Sequence, residues 1–198
     1  ASDVYKRQGR DGNLLEEEPK NCQVLKINNP ILTNTDMLKI KNMKVEGFKA
    51  VTVPITYYKS APLDRAMDRL FVEVDRAHRA GANILILSDR GVDENHVAIP
   101  SLLAVSAVHQ HLVKTKKRTS LAIILESGEP REVHHFATLL GYGACAINPY
   151  LALDTIHELI EEGMIKKDYY AAVEDYNHAV ISGIVKIAAK MGISTIQS

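Results

Sequence analysis

Polar side chains follow three predicted buried strands, at the point where each strand ends. They are Ser88, Asp89 and Arg90; then Glu126, Ser127, Gly128 and Glu129; and then Asn148, Pro149 and Tyr150. The carboxyl ends of parallel strands meet at one edge of a sheet, and ligands usually gather there. This edge is therefore the candidate site. Polar loops follow every strand in such folds, so an edge that holds no ligand is the alternative interpretation.

Two adjacent histidines, His134 and His135, lie in the helical stretch that follows the second of these clusters. Either could approach Glu126 or Asp89 and act in proton transfer or in interface hydrogen bonding. An ordinary surface histidine is the alternative. Adjacent residues on a helix point about 100° apart, which is not the four-residue spacing with which one helix binds zinc. We therefore expect no metal site and name no catalytic residue.

The turn at Ser127 and Gly128 precedes a helix and could offer backbone N–H groups to a phosphate. Glu126, Glu129 and Glu132 crowd the same turn and would repel an anion. An acidic first turn more simply complements the helix dipole. The sequence therefore predicts no phosphate or cofactor site at this turn.

The chain has two cysteines, Cys22 and Cys145, far apart in sequence and in unlike contexts. This spacing implies no disulfide framework and fits a reducing compartment. Cys145 lies between small apolar residues and has no basic neighbour in the sequence that would activate a thiolate. We expect it to be a small buried hydrophobic residue rather than a nucleophile.

The length and composition indicate a single domain with no net charge. The chain has 198 residues, 46% of them hydrophobic, with 24 Lys and Arg against 24 Asp and Glu. A balanced charge gives no field that would attract nucleic acid or an anionic membrane surface. No apolar run approaches the roughly 20 residues that span a bilayer. We expect a cytoplasmic location, or a plastid if the source is a plant.

Short apolar runs alternate with helical ones along most of the chain. The predicted strands are Phe48–Ile55, Asn83–Leu87, Leu121–Leu125 and Cys145–Ile147. Helices are predicted from Thr33 to about Ile40, after Pro62, from Pro100 to about Lys114, from Pro130 to Leu140, after Pro149, and from Asp168 to about Lys190. Continuously apolar strands are buried on both faces, as parallel strands with crossover helices are. The predicted fold is α/β, with a parallel sheet of at least four strands.

Three segments are predicted. Residues 1–20 contain few large apolar side chains and are read as a tail or linker. Residues 21–190 form the α/β domain. Residues 191–198 begin a further element, because Gly192 breaks the last helix and Ile193 to Ser198 read as the start of a strand.

Several longer motifs are specific enough to indicate a family. They are Asn29-Pro30-Ile31-Leu32-Thr33-Asn34, Ile84-Leu85-Ile86-Leu87-Ser88-Asp89-Arg90, Ile99-Pro100-Ser101-Leu102-Leu103, Glu126-Ser127-Gly128-Glu129-Pro130-Arg131-Glu132-Val133-His134-His135 and Gly141-Tyr142-Gly143-Ala144. Together they resemble the central domain of glutamate synthase large subunits, in order from about Gly9 to Ser198.

The resemblance implies a role inside a larger enzyme. In that family an N-terminal amidotransferase domain releases ammonia from glutamine. The ammonia passes through an internal tunnel to an FMN-binding (βα)8 synthase domain, which forms glutamate from 2-oxoglutarate. The central domain joins the two domains and resembles part of a (βα) barrel. Residues 191–198 are then expected to be the start of the truncated synthase domain. FMN and an iron–sulfur cluster belong to the parent enzyme, and the resemblance implies neither in this chain, which we expect to be inactive alone.

The expected partners are the amidotransferase and synthase domains of the same polypeptide, with no nucleic acid and no membrane. The residues expected to contact these domains are Asn29, Pro30, Thr33, Asn34, Ser88, Asp89, Arg90, Glu126, Arg131, His134 and His135. Arg90 and Arg131 are expected to pair with Glu126 or Glu132. Three alternatives stay open. The first is an internal ion-pair network without a coupling role. The others are a free-standing α/β small-molecule-binding enzyme domain that uses the same strand edge, and an interaction module whose long last helix docks a partner.

Overall fold

The computed structural model describes Cys22 and residues 29–192. The predicted tail at residues 1–20, part of the predicted extended segment before Ile31, and the strand predicted from Ile193 lie outside the described residues. The boundary predicted at residue 190 coincides with the end of the last helix, Tyr169–Lys190.

A four-stranded parallel sheet forms the centre of the molecule. Its strands are β1 (Ala50–Pro54), β3 (Ile84–Ser88), β5 (Ala122–Glu126) and β6 (Ala146–Asn148), in the order β1-β3-β5-β6. Helices connect the strands, so the α/β prediction is confirmed and the arrangement is consistent with part of a (βα) barrel. The last three strands each end one residue later than predicted, which places a polar residue at the end of each strand.

A second, two-stranded antiparallel sheet was not predicted. Its strands are β2 (Thr56–Tyr58) and β4 (His96–Ala98). It joins the main sheet at its carboxyl end, where the amide of Ile55 donates to the carbonyl of Ser88 at 2.8 Å. Each strand has three residues, and none of them is buried. Longer strands are predicted from the alternation of apolar and polar residues, and three residues are too few to show it.

Six helices of the described chain accompany the sheet. They are α1 (Asn34–Lys41), α2 (Leu63–Arg79), α3 (Ser101–Lys114), α4 (Val133–Gly141), α5 (Tyr150–Glu161) and α6 (Tyr169–Lys190). The first begins with a capping box: the Thr33 hydroxyl accepts from the Asp36 amide at 3.1 Å, and the Asp36 carboxylate accepts from the Thr33 amide at 3.0 Å. None of the described helices is long and apolar enough to cross a membrane.

The two faces of the sheet are covered in different ways. Strand residues such as Leu85, Leu87 and Ile123 pack against α2, α3, α4 and α6, and form the larger core. The opposite face, which includes Ile86 and Ile124, packs against α1 and Cys22. Both faces are therefore buried, which explains why these strands read as continuous apolar runs.

The two cysteines form a disulfide, and the prediction of two unlinked cysteines is wrong. Cys22 and Cys145 are joined across 123 residues of sequence, and both are buried. Sequence separation does not limit spatial distance. Cys22 packs against one face of the sheet and is bonded to the residue that precedes β6. The prediction that Cys145 is buried is confirmed.

A largely buried arginine ties the loops at the amino end of the sheet together. The Arg118 guanidinium donates to the carbonyls of Leu121 and Gly143 at 2.7 and 2.8 Å, and its Nε donates to His109 Nδ1 at 2.7 Å. Burial lowers the pKa of Arg118 to about 10. Burial and the neighbouring guanidinium also lower the pKa of His109, so the neutral imidazole is favoured as the acceptor.

Candidate functional site

The last residues of three strands form a polar row at the carboxyl end of the sheet. Ser88 lies opposite Glu126, and Glu126 lies opposite Asn148 in the strand register. Their exposed fractions are 5%, 1% and 0%, so all three are buried. Buried polar groups require partners. The partners of this row therefore define what the edge can do.

Glu126 is held by two cations and a hydroxyl. Lys41 Nζ donates to its Oε1 at 3.0 Å and to its Oε2 at 2.8 Å, and Ser88 Oγ donates to Oε1 at 2.6 Å. Arg90 Nε lies 3.2 Å from Oε2. Burial alone would raise the pKa of this carboxyl. The hydrogen bonds from Lys41 and Ser88 and the charges of Lys41 and Arg90 outweigh burial and lower that pKa.

Asp89 is held by neutral donors. Its carboxylate accepts from Ser127 Oγ at 2.6 Å, from the Gly128 amide at 3.1 Å, and from the Tyr150 hydroxyl. Burial, together with the hydrogen bond to Asp89, raises the pKa of the Tyr150 phenol. Tyr150 therefore stays a hydrogen-bond donor. With three donors on one carboxylate, Asp89 fixes the turn that follows β5.

Arg90 joins the two carboxylate clusters. While its Nε pairs with Glu126, its guanidinium carbon lies 4.0 Å from the centroid of the Tyr150 ring. This geometry is a cation–π contact. The Arg90 side chain is 48% exposed, whereas that of Glu126 is 2% exposed. Arg90 is therefore a charged group of this edge that a neighbouring surface can reach.

Asn148 fastens the chain before α1 to the sheet. Its Nδ2 donates at 3.0 Å both to the carbonyl of Leu32 and to Asn34 Oδ1. Its own Oδ1 is buried without a hydrogen-bond partner in the described structure. The carbonyl of Pro30 accepts from the Ile147 amide at 2.7 Å, which continues the sheet beyond β6.

The predicted contact residues separate into three places. Ser88, Asp89, Arg90 and Glu126 converge, and the expected pairing of Arg90 with Glu126 is confirmed. The second group lies in and beside the chain before α1 and consists of Asn29, Pro30, Thr33 and Asn34. Asn29 accepts from the Ile31 amide. The third group, Arg131, His134 and His135, lies at the start of α4. Sequence reasoning missed Lys41, because no local pattern reveals that the end of α1 reaches β5.

The α4 histidines do not make the expected contacts among the described residues. His135 Nε2 lies 3.9 Å from Glu129 Oε2 and 3.4 Å from Ser101 Oγ, while His134 is exposed. The Ser101 hydroxyl donates to Glu129 at 2.8 Å, and the Ser101 amide also donates to that carboxylate at 3.2 Å. Glu129 thus caps α3, and a serine bonded directly to a carboxylate is not arranged as a histidine-activated nucleophile.

Of the described residues, those at the turn after β5 do not fit the phosphate of FMN, and the two bonded cysteines do not fit an iron–sulfur cluster. At the turn after β5, the Gly128 amide is taken by Asp89 and the Glu129 amide by Ser127. A Cβ at Gly128 would meet Leu151 at 2.3 Å, so a side chain already fills the space that a phosphate would need. An iron–sulfur cluster requires cysteine thiolates, and the disulfide uses both cysteines of the chain.

A shallow cavity of about 550 Å³ lies beside β1, between the small sheet and α2. Its lining residues are Pro54, Thr56, Tyr57, Tyr58, Arg69, Glu73 and His96. None of the polar row is among them. The carboxyl-edge cluster and this cavity are therefore separate features.

The fold and the site define an α/β domain whose carboxyl edge is a closed, charge-compensated polar network. A family model described as the glutamate synthase central domain matches residues 3–198. The chain is 43% identical to the glutamate synthase [NADPH] large chain of Bacillus subtilis and 40% identical to glutamate synthase [NADH] of Schizosaccharomyces pombe. It is 35% identical to the chloroplastic ferredoxin-dependent glutamate synthase of Spinacia oleracea.

These matches cover 96% of this chain and 12%, 9% and 13% of the three relatives, respectively. The chain thus spans about a tenth of the length of the curated relatives that it matches. It belongs to the glutamate synthase central domain family.

Proposed function

We propose that this chain is a structural and coupling module of a glutamate synthase. It joins a glutamine amidotransferase domain to an FMN-binding synthase domain that also uses an iron–sulfur cluster. It contributes wall to the path along which ammonia travels between the two sites. L-Glutamate then forms from glutamine and 2-oxoglutarate in the complete polypeptide.

The observation that carries this proposal is that both buried carboxylates of the strand edge, Glu126 and Asp89, are already engaged. Glu126 has Lys41, Ser88 and Arg90 as partners, and Asp89 has three neutral donors. A general acid or base needs access to substrate and a proton to exchange. These carboxylates instead fix the shape of the edge, as the surface of a sealed passage requires.

Arg90 is the residue through which we expect the edge to meet a neighbouring domain. It is half-exposed, and both its charge and its orientation are fixed from within by Glu126 and the Tyr150 ring. A preorganised arginine loses little conformational entropy when it binds a neighbouring surface. The alternative of a free-standing enzyme domain would place a substrate on this edge. There the Gly128 amide already donates to Asp89 and the Glu129 amide to Ser127, so neither is free to bind a substrate.

The test compares two ways of supplying nitrogen to the complete polypeptide. Arg90→Ala is expected to lower glutamine-dependent glutamate formation by at least about fivefold, the equivalent of roughly 1 kcal/mol of lost domain contact. Synthesis from added ammonium and 2-oxoglutarate should stay within about twofold of the unaltered enzyme, since the synthase chemistry lies elsewhere. Ammonia released into solution during glutamine turnover should rise.

Arg79→Ala is the matched control. Arg79 is an exposed arginine at the end of α2, at the opposite end of the sheet from Arg90. Its removal should leave both nitrogen sources unaffected. Equal losses with glutamine and with ammonium in Arg90→Ala would show a general stability role for the edge and would contradict the coupling function.

A further inference from the structure

We propose that Cys22 and Cys145 are a reversible redox modification site that fastens the chain entering this domain to the start of β6. The proposal is independent of the coupling function. The substrate class of the site is a small dithiol in the reducing direction, and the corresponding disulfide in the oxidising direction.

The disulfide joins the chain before α1 to β6 at a second point, in addition to the hydrogen bonds that Asn148 makes. Cys145 directly precedes β6, and its amide donates to the Ile123 carbonyl at 2.7 Å, so its backbone belongs to the sheet. Cys22 precedes α1 in the sequence and is only 3% exposed. The hydrogen bonds of Asn148 hold the chain before α1 at the carboxyl end of β6. The disulfide adds an attachment at the amino end of that strand.

The surroundings of the two sulfurs favour a fold that survives reduction. Cys22 and Cys145 belong to an apolar cluster with Leu32, Met37 and Ile40, in which a thiol packs as a small hydrophobic group. The larger core on the other face of the sheet includes neither cysteine. Reduction therefore removes a covalent constraint from the chain that precedes α1 and leaves the main core in place.

The exchange reaction balances with a dithiol as the reductant. One of its thiolates attacks one sulfur of the Cys22–Cys145 bond. The other cysteine leaves as a thiolate and takes up a proton. The second thiol of the reagent then displaces the remaining cysteine, so the reagent becomes a disulfide and both cysteines become thiols. Because Cys22 and Cys145 are 3% and 4% exposed, the attack requires one of the two sulfurs to become accessible first.

The first measurement is a peptide map without reduction. The full chain is treated with the oxidised form of dithiothreitol, alkylated with iodoacetamide and digested with trypsin. The expected product joins residues 21–26 to residues 132–166, and prior treatment with dithiothreitol should convert it into two alkylated peptides. Cys145→Ser is the control and should give no joined peptide. Complete alkylation of both cysteines after oxidation would overturn the proposal.

The second measurement uses the unaltered chain, so it does not depend on whether a variant folds. Closing a loop of 123 residues constrains the unfolded chain strongly. Reduction is therefore expected to lower the melting temperature by roughly 5–15 °C. The circular dichroism spectrum at 25 °C should stay that of the folded chain. Cys145→Ser should melt at the same temperature with and without dithiothreitol. A joined peptide with no difference in melting temperature would contradict the fastening role.

Discussion

Glu126 and Asp89 lie one strand apart at the same edge and are held by different kinds of partner. Cations surround Glu126, while a hydroxyl, an amide and a phenol surround Asp89. An ion pair weakens with protonation of its acid and with salt, while neutral hydrogen bonds respond less to salt. The cluster around Glu126 therefore makes a contribution to stability that depends on pH.

Glu126→Gln tests this dependence. The folded-state pKa of Glu126 lies below its value in the unfolded chain, about 4.5. The stabilisation is therefore present above pH 4.5 and is lost as pH falls through the folded pKa, since the unfolded chain takes up the proton first. The free energy of unfolding should fall less steeply below pH 4.5 in Glu126→Gln. At pH 7 the variant should be less stable by about 1–3 kcal/mol.

Urea unfolding from pH 3 to pH 7 measures both effects. Glu94→Gln, at an exposed glutamate of a loop, is the control and should reproduce the curve of the unaltered chain. Parallel acid-limb slopes for the unaltered chain and Glu126→Gln would contradict the assignment of a lowered pKa to Glu126.

The sequence predicted part of this edge because chain order and strand direction suffice for it. Ser88, Asp89, Arg90 and Glu126 all follow or end predicted parallel strands, so their convergence required only the fold class. Lys41 contacts Glu126 although it lies 85 residues earlier in the sequence, at the end of α1. That contact depends on how α1 packs, and a single sequence carries no local signal for it. The expectation for His134 and His135 failed for the same reason, since the rotation of α4 decides which residue faces Ser101.

At the scale of elements, α6 shows how far periodicity reaches. Apolar residues at helical spacing, including Val173, Val180 and Ile184, are buried. Met191 lies just beyond the helix end and is 67% exposed. Periodicity does not reveal Gly183, where α6 packs against Val133 of α4. A Cβ on Gly183 would lie 2.7 and 2.9 Å from the two methyl carbons of Val133.

Gly183→Ala is expected to destabilise the chain although alanine is the better helix former. The propensity gain is about 1 kcal/mol, and overpacking against a branched, stiff side chain costs about 1–3 kcal/mol. Val133 cannot rotate out of the way, because both of its methyl groups lie within reach. A net loss of about 1 kcal/mol should appear in urea unfolding.

The double variant Val133→Ala with Gly183→Ala supplies the internal check. Removing the Val133 methyl groups should abolish the cost of the added Cβ, so the two changes should be less than additive by about 1–2 kcal/mol. Ser182→Ala, on the exposed side of the same helix, should stabilise slightly. A gain in stability for Gly183→Ala would show that α4 and α6 separate freely.

At the scale of the whole molecule, β1 is the edge of the described sheet on one side. The Lys49 carbonyl accepts from the Ile84 amide, and the Ile55 amide donates to the Ser88 carbonyl. Since alternate residues of a parallel strand bond to one neighbour, the N–H groups of Ala50 and Thr52 point away from β3. Pro54 has no N–H group, and Thr52 and Pro54 are exposed. Within the described residues no strand pairs with this edge, although a parallel sheet is normally covered.

We expect a neighbouring part of the complete glutamate synthase polypeptide to cover this edge, because the chain spans only 9–13% of its relatives. Amide hydrogen exchange at Ala50 and Thr52 should then be at least about tenfold slower in the complete polypeptide than in this chain alone. Mass spectrometry of overlapping peptides across β1 measures the difference. The amides of β3 serve as the reference, since both neighbours of that strand are present in either form. Equal exchange at β1 in the two forms would mean that the edge faces solvent in the complete polypeptide. Thr52 and Pro54 would then form an outer surface instead of a domain contact.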